Sequence, residues 1–512
     1  MDSLRFRYLC IILCTFLHHG WLFLTANQYL YDTGPCSYYW RHGEPQLLFT
    51  WWIDAGLPLH ALILSIMSFL PKYSEQIYAL LVCLIQICNG IFLSIILDRM
   101  NFKPFFSLAA TLLVISSPFF TAWPAPAFLG HLMIPLFFTI AVWAYLLWLD
   151  QSTSWHLRLI GSFFLVMSFT VKSYLVFGPF LFISLALTRW GLKRTLKNTF
   201  RIGLFVEWVL CPCLFWMAMN LWFPQQGMYL DYNRPSTSVR NLLSGYHQTF
   251  QAVFETIRLG WILVILIGLS VVIGMIHKKQ SIKPMAFTLG LLLVDLFPYV
   301  CVSKPPSALG YGSRHFITAI PIIAIFIAFV LEGISNTPPK KLQERKFIVL
   351  CFTVISLSFW INMIRQSEWR LRKAQDLAFL DFARQNPNLA SSSIFLIEER
   401  PNLPNIGDID LRFYEYTPLL NEAWGNKQSW IVVDVAREYS KDMFASVEAS
   451  ALKSDGFFPG SFQLKNYQRR GAKVGIKLQL NPKARSLSAL WTPLSELKKA
   501  VTVSADRKAG SG

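Results

Sequence analysis

Apolar runs recur through the first two-thirds of this chain, most of them near the ~20 residues a helix needs to cross ~30 Å of hydrocarbon. They fall near 8–27, 76–97, 104–122, 131–149, 157–171, 173–188, 202–222, 259–276, 285–302, 316–332 and 347–364. Such a chain has few folds open to it. Inside lipid each backbone polar group must find its partner within its own segment, which leaves packed helices. Composition agrees: of 512 residues, 54% are hydrophobic and 15% charged, whereas a soluble domain carries about a quarter charged residues. The 18 Trp and 42 Phe suit lipid-facing helices and the water–lipid boundary.

Charge sets the expected orientation. The run Leu57–Pro71 is apolar but short, and Gly56 and Pro71 close it, so it reads as a helix lying at the interface. Counting it as a span would invert every later loop. With it at the interface, Arg5/Arg7, Arg99/Lys103, Arg158, Arg189/Lys193/Arg194/Lys197/Arg201, Lys278/Lys279/Lys283 and Lys340/Lys341/Arg345/Lys346 share one side. The opposite loops before the tail hold only Arg41, Lys172, Arg234, Arg240, Lys304 and Arg314. The positive-inside rule then puts the N-terminus in the cytoplasm and the first loop (28–75), the loop 223–258 and the tail outside. Arg5 and Arg7 precede the run from Tyr8 to about Thr25 with no small-residue cleavage site, which reads as a retained signal-anchor. The net charge of +18 is thus an orientation signal, and nucleic acid is not the expected partner.

Two outer segments and the tail have their own character. Phe223–Arg258 is amphipathic, with an interfacial helix expected around 239–256. Ser303–His315 is rich in Gly and Pro and ends in Arg314-His315. Gln366–Gln385 reads as a charged amphipathic helix leaving the membrane, followed by strand-like runs Ser393–Ile397, Ser429–Asp434 and Val474–Leu480. Residues 366–500 are long enough for one small α/β domain. Residues 501–512 read as a disordered tail. The expected fold is a polytopic α-helical membrane protein of about 11 transmembrane helices over 1–365, with a small extracytoplasmic α/β domain.

No soluble-enzyme signature occurs, neither a Gly-rich phosphate loop nor a zinc or serine-hydrolase motif. Chemistry must come from polar groups at the outer face. Asp32, in Tyr31-Asp32-Thr33-Gly34-Pro35-Cys36, follows the first run directly. A carboxylate at a lipid–water boundary is partly desolvated, which raises its pKa and suits it as a general base. A solvated turn Asp is the alternative, and both stay open. Asp54 and Glu44 are the loop's other acids, suited to a metal or the acceptor, or to helix capping. His60 is expected one turn beyond Asp54 on the interfacial helix, binding substrate or packed in the core. The outer cations Lys172, Arg234, Arg240, Lys304 and Arg314 run against the charge bias, which a lipid phosphate would explain, as would anionic headgroups. Arg314, flanked by Tyr311 and His315, is the foremost of these. Asp295 is an intramembrane acid, a functional candidate by position or a structural partner of a neighbour such as Lys304 or Lys172; Glu207 is expected to serve packing. Cys36 and Cys301 both lie near the outer surface, yet nothing demands that they pair.

Together these features resemble the GT-C superfamily of membrane glycosyltransferases, which use polyprenyl-phosphate-linked sugars. The likeness lies in Tyr31-Asp32-Thr33-Gly34 after the first span, Gly56-Leu57-Pro58-Leu59-His60 opening an interfacial helix, Trp123-Pro124-Ala125-Pro126, and Ser313-Arg314-His315-Phe316 followed by Pro321. It covers roughly 1–365 and is of superfamily grade; bacterial members often end in an outer soluble domain. The resemblance implies an inverting glycosyltransferase in a bacterial inner membrane, working in cell-envelope glycan, glycolipid or glycoprotein assembly. Asp32 is then the base, with Asp54, His60, Arg314, Lys304, Lys172, Tyr311, His315 and Arg234 around substrate. The partners implied are a polyprenyl-phosphate sugar donor, a glycan, lipid or protein acceptor, and membrane lipids. The family's usual acidic pair is not adjacent in this chain. Metal use is therefore open, with Asp32 and Asp54 as ligands if Mg or Mn takes part. The rival readings are a lipid-linked substrate flippase or transporter, which would favour internal repeats, and a polysaccharide polymerase or ligase.

Overall fold

A computed structural model describes residues 4–24, 44–70, 73–117, 129–150, 154–170, 206–225, 238–256, 282–301, 315–317, 319–335, 340–391, 394–399, 413–425, 431–434, 473–484 and 486–508. These residues are mostly helical, with one small sheet. In chain order the helices are α1 (Leu4–Leu24), α2 (Pro45–Asp54), α3 (Pro58–Ser68), α4 (Ser74–Arg99), α5 (Pro104–Ile115), α6 (Leu129–Asp150) and α7 (Trp155–Met167). They continue as α8 (Cys211–Trp222), α9 (Val239–Thr256), α10 (Ile282–Cys301), α11 (Ile320–Ser335) and α12 (Lys340–Gln385). The C-terminal part adds β1 (Ile394–Glu399), α13 (Phe413–Trp424), β2 (Ile431–Asp434), β3 (Lys473–Leu480), α14 (Leu494–Lys499) and β4 (Val501–Lys508).

Helices overlap every expected apolar run except those near 173–188 and 259–276, which lie outside the described residues. Among the described residues, Glu75–Arg99 and Leu129–Trp148 are long and apolar enough to cross a membrane. Helices occur at both segments where interfacial ones are expected, α3 within 57–71 and α9 at 239–256.

Close packing in the bundle follows from small residues at crossings. A Cβ on Gly90 of α4 would lie 2.7 Å from Cγ2 of Ile11 on α1 and would collide with Ile115 of α5. Gly245 of α9 similarly admits Val300 of α10, where an added Cβ would sit 2.8 Å from Cγ1. Arg7 pairs with Asp98 at 2.6 Å, joining the start of α1 to the end of α4. Glu207, in a one-turn π-helix (Val206–Leu210), pairs with Arg158 and accepts hydrogen bonds from Tyr145 (3.0 Å) and Ser162 (3.4 Å). That network fastens α6, α7 and the segment before α8, in keeping with the packing role expected of Glu207. The outward faces are apolar: Leu13 and Leu17 of α1, Phe163 of α7, Leu221 of α8 and Phe352 of α12 are exposed. Polar His18, Gln86, Asn89 and Asn362 are buried.

Four features depart from the sequence reading. The segment 28–75 holds two helices, because Pro45 starts α2 at a position where its missing N–H costs nothing. Gly56, at φ 74°, ends α2: Leu57 N–H donates to Trp52 O (2.9 Å) and Gly56 N–H to Ile53 O (2.8 Å), a Schellman closure that needs the left-handed residue. Asp54 therefore ends α2 and His60 lies on α3, across the Gly56 turn. The helix expected at 366–385 is continuous with the last apolar run, so the boundary drawn at 365/366 falls inside α12. Its charged residues Glu368, Arg370, Arg372, Lys373 and Asp376 are buried rather than solvated, Arg370 against the C-terminal domain. Finally, Val501–Lys508 is a strand, not a disordered tail: it pairs antiparallel with β3 from Val501↔Leu480 to Lys508↔Lys473.

The sheet order is β2-β1-β3-β4, with β1 parallel to both β2 and β3. The domain is clasped to α12 along its length. Arg370 donates to the carbonyls of Leu490 and of Thr492 (2.8 Å), Lys498 pairs with Asp381, and Trp424 Nε1 donates to Ala383 O (2.8 Å). One apolar core runs through Leu48, Trp52 and Leu64 of α2–α3, Trp369 of α12, and Leu480 and Leu497 of the domain. Each fully buried apolar side chain there contributes roughly 1.5–3 kcal/mol. A second core lies within α4, α5, α6 and α11.

Candidate functional site at the mouth of the bundle

Two tight turns position the α2–α3 hairpin. Pro58 follows Gly56 and Leu57 at the start of α3, which places His60 in the first turn, buried against the start of α6. Gly130, the second residue of α6, has an N–H with no intrahelical acceptor, as at any helix start. It donates to His60 Nδ1 at 3.0 Å. With Nδ1 accepting, neutral His60 carries its proton on Nε2. The Trp52 ring lies 4.1 Å from the His60 ring, tilted by 55°. A narrow apolar cleft beside His60 is lined by Leu57, Ile63, Leu129, Gly130, Met133 and Thr170. The start of the 223–258 segment reaches the same hairpin, where Gln225 Nε2 donates to Ala55 O at 3.4 Å.

Asp54 ends α2 and is half-buried; burial pushes its carboxyl above the usual aspartate value. Glu44 contributes its carbonyl to Leu48 N–H (3.3 Å) at the start of α2. His315 opens a short turn before α11, buried, with its ring 4.2 Å from that of Tyr299. Asp295 lies one turn before Tyr299 on α10, also buried. Ile317 joins the core that holds Trp52 and Trp369. Asp54, His60 and the His315 turn thus gather around one core at one end of the bundle. Asp32, Lys172, Arg234, Lys304, Tyr311 and Arg314 lie outside the described residues.

Sequence reasoning missed a polar junction beneath this mouth. Asn362 Nδ2 lies 2.9 Å from His18 Nδ1 and donates to Ser116 O at 3.2 Å, and Gln366 Nε2 donates to His18 O at 3.0 Å. The signal was available, since a polar residue inside an apolar run is costly unless partnered.

Among the described residues no group of three or more His, Cys, Asp or Glu side chains is placed to hold a metal ion. Of the two carboxylates named as metal ligands, Asp54 is described and Asp32 lies outside the described residues. Compared with known protein families and curated proteins, the chain matches no family model and no curated protein.

Proposed function

We propose that this chain is an inverting glycosyltransferase of about eleven membrane spans. It moves a sugar from a polyprenyl-phosphate donor to an acceptor hydroxyl at the outer face of the membrane, with the N-terminus cytoplasmic and the C-terminal domain outside. Asp32 takes the acceptor's hydroxyl proton. The freed oxygen attacks the anomeric carbon from the face opposite the lipid phosphate, the carbon–oxygen bond to that phosphate breaks, and the configuration inverts. Arg314, with Lys304 and Lys172, holds the departing phosphate, whose developing charge such preset cations stabilise.

The observation that carries this reading is the convergence at one end of the bundle. The hairpin bearing Asp54 and His60, the His315 turn and the C-terminal domain share a core there, and the Arg7–Asp98 pair lies at the opposite end of α1 and α4. Apolar outward faces over an interior that holds polar His18, Gln86, Asn89 and Asn362 support immersion in lipid, because soluble proteins rarely expose such surfaces.

Asp32→Asn tests the mechanism. The expected outcome is loss of sugar transfer from a labelled polyprenyl-phosphate sugar, with normal expression and folding. Undiminished transfer would remove Asp32 as the base. Movement of the lipid-linked substrate across the membrane without transfer would favour a transporter instead.

A further inference from the structure

Helix α9 divides its circumference into three sectors. At about 100° per residue, Leu242, Gly245, Tyr246 and Thr249 share one side, and all four are buried or half-buried. Val239, Leu243 and Phe250 lie beside them, within about 40° of one another, and all three are exposed. Arg240, Ser244, His247 and Gln248 occupy the remaining side, also exposed.

The first sector is fixed to α10. Gly245 admits the Val300 side chain. Tyr246 Oη donates to Leu293 O at 2.7 Å. That contact lies next to the Val294 carbonyl, which Pro298 cannot serve because proline has no N–H. Val300 is the last residue but one of α10. Helix α9 therefore sits at the C-terminal end of α10, which is the outer end on the membrane placement proposed above. The adjoining face of α10 is apolar as well, with Val294 and Phe297 exposed at i and i+3. A helix that only covers a bundle in water needs two sectors, one buried and one polar. The added apolar strip, bordered by a cation, is the pattern of a helix lying in the headgroup layer.

We infer that α9 binds anionic phospholipid of the outer leaflet, with Val239, Leu243 and Phe250 at the acyl boundary and Arg240 on a headgroup phosphate. The choice of leaflet rests on the membrane placement proposed above. Arg240 lies about 60° from Leu243 around the helix, at the border of the strip, and a guanidinium matches two phosphate oxygens at once.

The test uses the purified full chain in nanodiscs of phosphatidylglycerol and phosphatidylethanolamine. A benzophenone amino acid replaces Leu243, Gln248 or, on the exposed face of α1, Leu17. Mass spectrometry after illumination reads the adducts. Lipid adducts are expected at the Leu243 and Leu17 positions, with far fewer at Gln248. One cation at an anionic surface should enrich phosphatidylglycerol about fivefold. Arg240→Gln should therefore lower the ratio of phosphatidylglycerol to phosphatidylethanolamine adducts at Leu243 by that factor. Lipid adducts at Leu17 with none at Leu243, or equal lipid adducts at Leu243 and Gln248, would overturn the inference and leave the membrane placement standing. No lipid adduct at either Leu17 or Leu243 removes both. An unchanged ratio in folded Arg240→Gln rejects the phosphate contact. Should Arg240→Gln not fold, added salt reads the same attraction with Arg240 in place, because screening weakens it. A falling ratio then upholds the contact and a constant one rejects it.

Discussion

Replacing Arg370 with Met probes the clasp between α12 and the C-terminal domain most directly. Arg370 is 1% exposed, and its guanidinium donates to the carbonyls of Leu490 and Thr492. Met keeps most of the apolar stem and removes both donors. A hydrogen bond from a charged donor is worth about 1.5–3 kcal/mol, and a buried carbonyl left without a partner costs a similar amount. Thr492 is only partly buried, so water recovers part of its bond. The sum is about 3–4 kcal/mol. This energy is local, so it should appear as easier opening of 487–499 rather than as global unfolding. Hydrogen–deuterium exchange reads it at amides such as Thr492 (to Ser488 O, 2.9 Å) and Leu497 (to Pro493 O, 3.0 Å). Protection there should fall roughly 100- to 1000-fold, at about 1.4 kcal/mol per decade, while α4 and α6 stay as before. Unchanged exchange over 487–499, or a loss spread evenly over the chain, would refute the clasp.

Two further outcomes follow from the site. His60→Phe keeps a ring beside Trp52 but leaves Gly130 N–H without its acceptor, and should lower stability by about 1–3 kcal/mol, seen as a lower thermal midpoint. Asp54 has a folded pKa raised by burial, so the folded state holds its proton more tightly than the unfolded state. Its contribution is fully present below the ordinary value of 3.8 and is lost as pH rises through the raised value. The midpoint of wild type should therefore fall slightly more than that of Asp54→Asn across that interval; parallel pH profiles would show that Asp54 is not desolvated.

The helices were legible because apolar length is a coarse and robust signal, and Gly56 and Pro58 mark the start of α3 as plainly as any residues in the chain. Helix α2 was hidden because Trp51, Trp52 and Asp54 suggested a polar aromatic loop, and only Pro45 hinted at a helix start. The continuity of α12 could have been read from the lack of Gly or Pro between 340 and 385. The burial of Arg370 could not, since it depends on carbonyls about 120 residues further along the chain. Strand β4 had a visible alternation in Val501-Thr502-Val503, overlooked because the Gly/Ser ending lay beside it. Of the proposed site, Asp54, His60 and His315 could be placed by type and position. Their meeting is tertiary, made by a core that joins residues 48 to 497.

The 46 residues of α12 rise about 1.5 Å each and so extend about 69 Å, more than twice the ~30 Å of a bilayer's apolar layer. With no Gly or Pro along it and several attachments to the sheet domain, it is a rod and not an arm. On the membrane placement proposed above, the domain stands at a fixed height over the opening and cannot ferry cargo towards it. On the glycosyl-transfer reading, the acceptor meets a domain held at one distance from the bundle, so the rod acts as a gauge on the shape of the acceptor.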